Sequence, residues 1–437
     1  MKFVASTLAL AAVAVATSHV EPRENPVVSY DGHHVYRITG ESPREVEALE
    51  ERFAHFPNVH SRDALEVVVP PHEVRAFEEA AGLNARLLSM DLGAQIRAEN
   101  KPSNYRRGLN KRGALPDLSW FDAYHSYADH LDYWDDLQAA FASNSEKILV
   151  GNSYEGREIY AFHFWGDEGS SEDKPIIYWH GTVHAREWIS TMVVEYLAYQ
   201  LIDGYLGGDE DVADYLNHYD FWIVPFHNPD GASTTHRDQV MFIPNPLQDS
   251  PTPRPTTVCG ARTAYQFFAE PPDGAVSPNP CAETFRGVCP GDTPENIALS
   301  ALSRKLAATG QGIRSYIDWH SYSQLILTPW GWSCDPEDLP ATLPRMREVG
   351  QGVAAAIFEN SGMTYEVGPA CEILYFSTGT GRDYHHGVLN ATHSWTLELR
   401  PASASQGGFV LPPEQILSTV QEQWAGQQYL LREVWND

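Results

Sequence analysis

The chain has 437 residues, of which 43% are hydrophobic and 11% aromatic. That is enough apolar material to bury a large core, and it excludes disordered, collagen-like and small disulfide-scaffold architectures. Thirty Lys and Arg stand against 58 Asp and Glu, a formal charge of -28, and a field of that sign argues against nucleic acid and anionic lipid surfaces as partners.

Lys2 precedes an apolar run from Phe3 to Ala16 that closes on the small-x-small sequence Ala14-Val15-Ala16. This pattern predicts a cleaved signal peptide over 1–16, the competing reading being a buried N-terminal helix. No later stretch is apolar for long enough to cross a bilayer, so an exported protein without a membrane anchor is expected. Export places Cys259, Cys281, Cys289, Cys334 and Cys371 in an oxidising compartment. None belongs to a Cys-x-x-Cys pair, and the odd count leaves at least one thiol without an internal partner.

From about Asp31 to Asp91, two strand-like runs, His33 to Ile38 and Leu65 to Val69, alternate with helical stretches from Pro43 to Phe53 and from Pro71 to Ala81. So short an alternation predicts a small α+β unit within 17–99. Residues 100–116 then carry Pro, Ser, Gly and basic residues without periodicity, which is linker chemistry. The dibasic Lys111-Arg112 inside it reads either as a processing site or as two ordinary solvated charges.

Beyond Asp117 apolar strands alternate with long helical stretches. Ile176 to Trp179, Phe221 to Val224 and Tyr316 to Trp319 read as buried strands; Ala185 to Ile202, Asn296 to Ala308, Leu343 to Glu359 and Pro413 to Val434 read as helices. The expected fold over 117–437 is therefore α/β, a sheet covered by helices on its faces. One stretch breaks the pattern: prolines crowd between Phe242 and Pro272 with little hydrophobic period.

The segment from His180 to Trp188 stands where a strand ends and a helix begins, the usual place for a ligand site in α/β sheets. His184 and Glu187 are three apart, so one helix-like turn aims an imidazole and a carboxylate at one point, as two zinc ligands require. Taken alone, His-x-x-Glu also fits a solvated or capping pair. A second buried strand ends on His320, and a third, Ser394 to Arg400, carries Glu398 among apolar neighbours. That carboxylate suits either chemistry or a core ion pair with Arg400.

His184-Ala185-Arg186-Glu187-Trp188, Asp318-Trp319-His320-Ser321-Tyr322 and Thr396-Leu397-Glu398-Leu399-Arg400 resemble, in order and spacing, the zinc carboxypeptidases of the carboxypeptidase A type, particularly secreted fungal members. Asn228-Pro229-Asp230-Gly231, the segment from Asn279 to Gly287 and Gly408-Phe409-Val410-Leu411-Pro412 extend the likeness over almost the whole chain. The resemblance implies a secreted monomeric zymogen acting on peptide or protein C-termini. Residues 17–99 would be a small α+β pro-domain that plugs the site, 100–116 a processing linker and 117–437 the α/β catalytic domain, a mixed β-sheet flanked by helices on both faces. It implies one zinc ion per chain, held by His184, Glu187 and His320, with Glu398 as general base. Arg186 would bind and polarise the substrate, and Tyr375 would close over its terminal residue. Arg382 falls at the floor of the terminal side-chain pocket, where an arginine would favour peptides ending in Asp or Glu; its other readings are a solvent-facing side chain or a partner of Asp383. Cys334 with Cys371 resembles a bridge of the fungal relatives, and Cys281 would have Cys259 as a substitute partner, leaving Cys289 over.

The likeness fails at one place. The family binds the terminal carboxylate with an Asn-Arg pair in an Asp-x-Asn-Arg-Asn-Trp-like motif, and Thr263 to Phe268 stands there instead. The same motif carries the aspartate that orients the first zinc histidine. The segment that supplies an oxyanion-stabilising Arg is also replaced, by Gln239 to Asn245. Two accounts fit. Either the chain is a zinc-binding protein that has lost carboxylate recognition, or 238–275 reflects a gene-reading error, since the codons of Thr257 to Ala264 permit the missing Arg-rich segment in a frame displaced by two bases.

Overall fold

A computed structural model of the chain describes residues 29–39, 58–60, 64–81, 85–100, 114–171, 173–238, 291 and 293–437. The expected signal peptide, the helix from Pro43 to Phe53, Lys111-Arg112, the proline-rich stretch and Cys259, Cys281 and Cys289 lie outside the described residues.

The N-terminal unit is an antiparallel sheet of β1 (His34–Thr39), β2 (Asn58–His60), β3 (Ala64–Val69) and β4 (Ala85–Ser89), in the order β2-β3-β1-β4. Helices α1 (Val74–Ala81) and α2 (Leu92–Glu99) accompany it. Tyr36, Ile38, Leu65, Val67, Val69 and Phe77 form its core, as the alternating apolar positions of β1 and β3 require. Sequence reading found β1, β3 and α1. It missed β2, too short to show a period, and β4, whose central Leu87 stays exposed.

The large unit is an eight-stranded mixed sheet in the order β11-β10-β12-β9-β7-β8-β6-β5. Its strands are β5 (Ser145–Asn152), β6 (Glu158–Phe164), β7 (Ile176–His180), β8 (Asp220–Val224), β9 (Ile313–Ser321), β10 (Leu325–Thr328), β11 (Glu366–Pro369) and β12 (His393–Leu399). The central strands β8, β7, β9 and β12 run parallel, and every residue of β7, β8 and β9 is buried. Continuous apolar runs without alternation are what a strand covered on both faces shows.

Helices α3 (Tyr127–Ala140), α4 (Trp188–Gly207), α5 (Glu210–His218), α6 (Pro229–Asp238), α7 (Pro294–Ala307), α8 (Leu343–Ser361), α9 (Ala370–Ile373), α10 (Gly381–Gly387) and α11 (Ile416–Glu433) complete the unit. One face of the sheet packs the main core around Trp179, Trp319 and Trp395, under α4, α8 and α11. The other packs Tyr178, Tyr316 and Trp222 against Leu299, Leu302 and Leu306 of α7. The mixed sheet between helices is thus the architecture expected. Cys334 and Cys371 form a disulfide with their Cα atoms 5.6 Å apart.

The two units meet at the carboxyl ends of the central strands. Val410 packs with Tyr30, Val68, Leu92 and Ile96. The Tyr322 hydroxyl donates to Glu66 Oε2 at 2.6 Å, and Arg37 lies 3.7 Å from the same carboxylate.

Candidate metal centre

Strand β7 ends at His180, and Thr182 then turns the chain through a positive φ of 56°. The turn is pinned where Thr182 N donates to Ser190 Oγ and the Thr182 and Thr191 hydroxyls meet at 2.6 Å. The expected helix from Ala185 starts later, at Trp188. His184 to Glu187 is a tight turn closed by Glu187 N donating to His184 O at 3.2 Å. It still brings positions i and i+3 together, because such a turn has helix-like pitch.

Strands β9 and β12 supply the other side. Their parallel register sets Asp318 beside Thr396 and His320 beside Glu398. Side chains alternate along a strand, so Asp318 and His320 share one face of the sheet with Thr396 and Glu398.

Three ligand atoms converge. Glu187 Oε1 is 2.7 Å from His184 Nδ1, Glu187 Oε2 is 3.0 Å from His320 Nδ1, and the two Nδ1 atoms are 3.1 Å apart. Among the described residues, His184, Glu187 and His320 are the one group whose donors lie within 4.8 Å of one another with metal-ligating chemistry. Two imidazoles and a carboxylate are a catalytic zinc donor set. The electrostatics agree with a cation here. Burial alone would raise the Glu187 carboxyl, yet His184 and His320 hold it far below the carboxylate range. Burial alone would lower His320, yet Asp318 and Glu187 hold it well above the usual imidazole value. His320 Nε2 lies 3.1 Å from Asp318 Oδ2, while its Nδ1 faces Glu187 and His184.

Glu398 faces this group with part of its surface accessible. Burial of the carboxyl pushes it up to about 8, with Glu187 and Asp318 adding to the rise and His320 and Arg382 opposing it. The core ion pair with Arg400 does not form, because Arg400 Nε donates to both oxygens of Glu422 at 3.0 Å. Arg382 is 3% exposed, which removes its solvent-facing reading. Its Nη2 donates to Ser377 Oγ at 2.9 Å and Nη1 to Thr396 Oγ1 at 3.3 Å, while Nε lies 3.4 Å from Asp383 Oδ1 without a hydrogen bond. Arg186 lays its guanidinium over the Phe409 ring, 4.0 Å from the centroid. Tyr375 lies between α9 and Ser377 and is 39% exposed. The structure therefore groups His184, Glu187, His320, Glu398 and Arg382 in one electrostatic neighbourhood. Sequence reading missed Asp318 as a partner of His320, although Asp-x-His on a strand puts both on one face.

Comparison with known proteins agrees with this site. Residues 130–426 match the family model described as zinc carboxypeptidase. The chain is 36% identical over 442 aligned positions to the metallocarboxypeptidase A of Trichophyton rubrum, covering 99% of both chains. Among solved structures it is similar to the thrombin activatable fibrinolysis inhibitor, with a TM-score of 0.78 at 22% identity over 93% of this chain and 100% of that one. It is also similar to the carboxypeptidase A of Helicoverpa armigera, with a TM-score of 0.75 at 24% identity over 93% and 98% of the two chains. At those identities the two structures establish the shared fold.

Proposed function

The chain belongs to the zinc carboxypeptidase family, and from that premise we propose that it hydrolyses the C-terminal peptide bond of peptides and proteins, with one zinc ion per chain held by His184, Glu187 and His320. The observation that carries this reading is the convergence of those three donors opposite Glu398.

A zinc ion held there supplies Lewis acidity toward a carbonyl oxygen and toward water. Glu398 is the proton carrier: its carboxylate takes the proton of the attacking water and returns it to the nitrogen of the leaving amine. Its accessible surface gives substrate and water a route to it. Arg186 binds and polarises the substrate, and Tyr375 closes over the terminal residue.

Arg382 sets a preference for Asp or Glu at the C-terminus. What supports this is a buried guanidinium whose hydrogen bonds go to two hydroxyls and whose nearest carboxyl, Asp383, is itself raised by burial against the pull of Arg382. A substrate carboxylate would supply the charge-assisted partner that two hydroxyls do not.

Residues 1–16 direct secretion, 17–99 form a pro-domain, 100–116 are the processing linker, and the mature enzyme is a monomer. The pro-domain reading is supported by Glu66 bonding Tyr322, two positions from His320, and by the packing of Tyr30 and Val68 on Val410. Among the described residues no helix is long and apolar enough to cross a membrane.

The test is the zinc content and turnover of protein expressed from the sequenced transcript and cut in the linker. It would be assayed on otherwise identical peptides ending in Glu, Phe and Lys, with and without chelator. Chelator-sensitive release of the terminal residue, fastest for Glu, is expected; equal rates for all three would remove the role of Arg382. A second reading is favoured by the sequence of Thr263 to Phe268, which lacks the carboxylate-binding pair. On it the chain is an impaired carboxypeptidase that keeps zinc and serves as a secreted or cell-wall-associated binding protein. Stoichiometric zinc without turnover would select it.

A further inference from the structure

Beside the three converging donors stands a carboxylate that the ligand set leaves out. Asp318 lies in the middle of β9, with its backbone paired to His180 of β7 on one side and Thr396 of β12 on the other. Neighbouring strands on both sides fix its Cα, so the direction of its side chain is set by the sheet and not by a loop. The carboxylate is buried, and one oxygen, Oδ2, is 3.1 Å from His320 Nε2. The other oxygen, Oδ1, has no hydrogen-bond partner among the described residues. A buried carboxylate costs free energy unless it is compensated, and here the 3.1 Å contact with His320 Nε2 leads the compensation, with His180 and His227 adding to the pull.

Two of the neighbouring imidazoles are engaged elsewhere. His180, the nearest imidazole along the sheet, is occupied by the Tyr178 hydroxyl at 2.7 Å and the Tyr316 hydroxyl at 3.3 Å. His385 is held by Gly381 O and Ser303 Oγ. The start of α10 closes over the carboxylate at Gly381, where a Cβ would come within 2.4 Å of Tyr316 Oη and 3.2 Å of Asp318 Oδ2. Any larger residue there would press on Tyr316 first and then on Asp318.

We propose that Asp318 is a positioning residue for zinc binding: by accepting the Nε2 hydrogen of His320 it fixes the tautomer and ring plane that present Nδ1 to the metal. A charged acceptor on the far nitrogen also makes the near nitrogen a stronger donor. This inference rests on the reading of His320 as a zinc ligand, and the experiment separates the two.

The zinc dissociation constant of the full chain is measured by competition with a chelating dye for wild type, D318N, D318A and H320A, alongside the melting temperature of each metal-free protein. Losing such a partner weakens metal binding by about 10- to 100-fold. D318A should show the larger loss. D318N, nearly isosteric and still able to accept one hydrogen bond, should show the smaller, and it carries the test if D318A fails to fold. Cobalt-substituted D318N should have an altered visible absorption band, which a change in stability alone would not produce. Zinc affinities of D318N and D318A within about twofold of wild type, or a lowered melting temperature with unchanged affinity, would overturn the positioning role while H320A still lost zinc. Wild-type affinity in H320A would overturn the zinc-ligand reading itself.

Discussion

Glu195 and Glu398 are two carboxyls that burial pushes to the same place, about 8, in different surroundings. Glu195 sits in α4 inside the main core, and both of its oxygens are engaged. Oε2 accepts from Trp120 Nε1 at 2.8 Å and Oε1 meets His130 Nδ1 at 2.7 Å. Burial holds His130 down to about 3 and Glu195 up, which favours a neutral pair with the proton on Glu195. The Glu398 carboxyl has no hydrogen bond or ion pair to another described residue, the residue keeps part of its surface accessible, and the remaining shifts come from His320, Glu187, Arg382 and Asp318. A raised carboxyl marks a reactive group only when its bonding capacity is unspent and substrate can reach it.

The comparison breaks most visibly at Glu398. E398Q should lower kcat by about 10²- to 10⁴-fold, the usual worth of a general base, while zinc content and melting temperature stay at wild-type levels. A variant retaining most of its turnover would make Glu398 another Glu195. E195A should do the reverse. It strands the Trp120 and His130 nitrogens in the core and should cost about 1–3 kcal/mol of stability, with activity per folded molecule unchanged.

Glu195 also carries a pH signature. In the unfolded chain its carboxyl has the ordinary value of 4.5, and in the fold it rises to about 8. Between those values the native state keeps a proton that the unfolded state has shed. The stabilisation is complete below the unfolded value, declines as pH rises and is lost above about 8. E195Q can still accept from Trp120 and donate to His130 but does not titrate. The difference in melting temperature between wild type and E195Q should therefore shrink or reverse as pH rises, and a pH-independent difference would show that Glu195 is ionised in the fold.

Much of this was legible in the sequence. The buried strands β7, β8 and β9 announce themselves because both their faces are covered. Long helices such as α8 and α11 were found to within a few residues of their ends. Glu187 and His184 were readable because their spacing fits one turn. Other features are written across the sheet and not along the chain. The placement of Glu398 beside His320 depends on the β9–β12 register, and the burial of Arg382 depends on Ser377 and Thr396. The bond between Tyr322 and Glu66 joins residues 256 positions apart, beyond any periodicity.

The boundary between the two units offers an intermediate case, two carboxyls that are buried and only partly satisfied. Burial raises Glu66 against the opposing pull of the Tyr322 hydrogen bond and of Arg37. Burial raises Glu99 further, with the Leu411 backbone N–H as its opposing contact; Tyr124 faces the same carboxyl, and Oε1 has no hydrogen bond among the described residues. Once the units separate, both carboxyls return toward ordinary values, so the docked state holds protons that the separated state releases. By linkage the association must then weaken as pH climbs from the ordinary carboxylate range toward neutrality, by at most about tenfold per pH unit for each carboxyl. After cleavage in the linker, size-exclusion chromatography across that range should find the N-terminal unit retained in acid and released toward neutral pH. E99Q should flatten the dependence more than E66Q, because Tyr322 and Arg37 already favour the ionised form of Glu66. Retention that strengthened with pH would mean that these carboxyls dock as anions, paired by Arg37 and Tyr322 more strongly than burial opposes them.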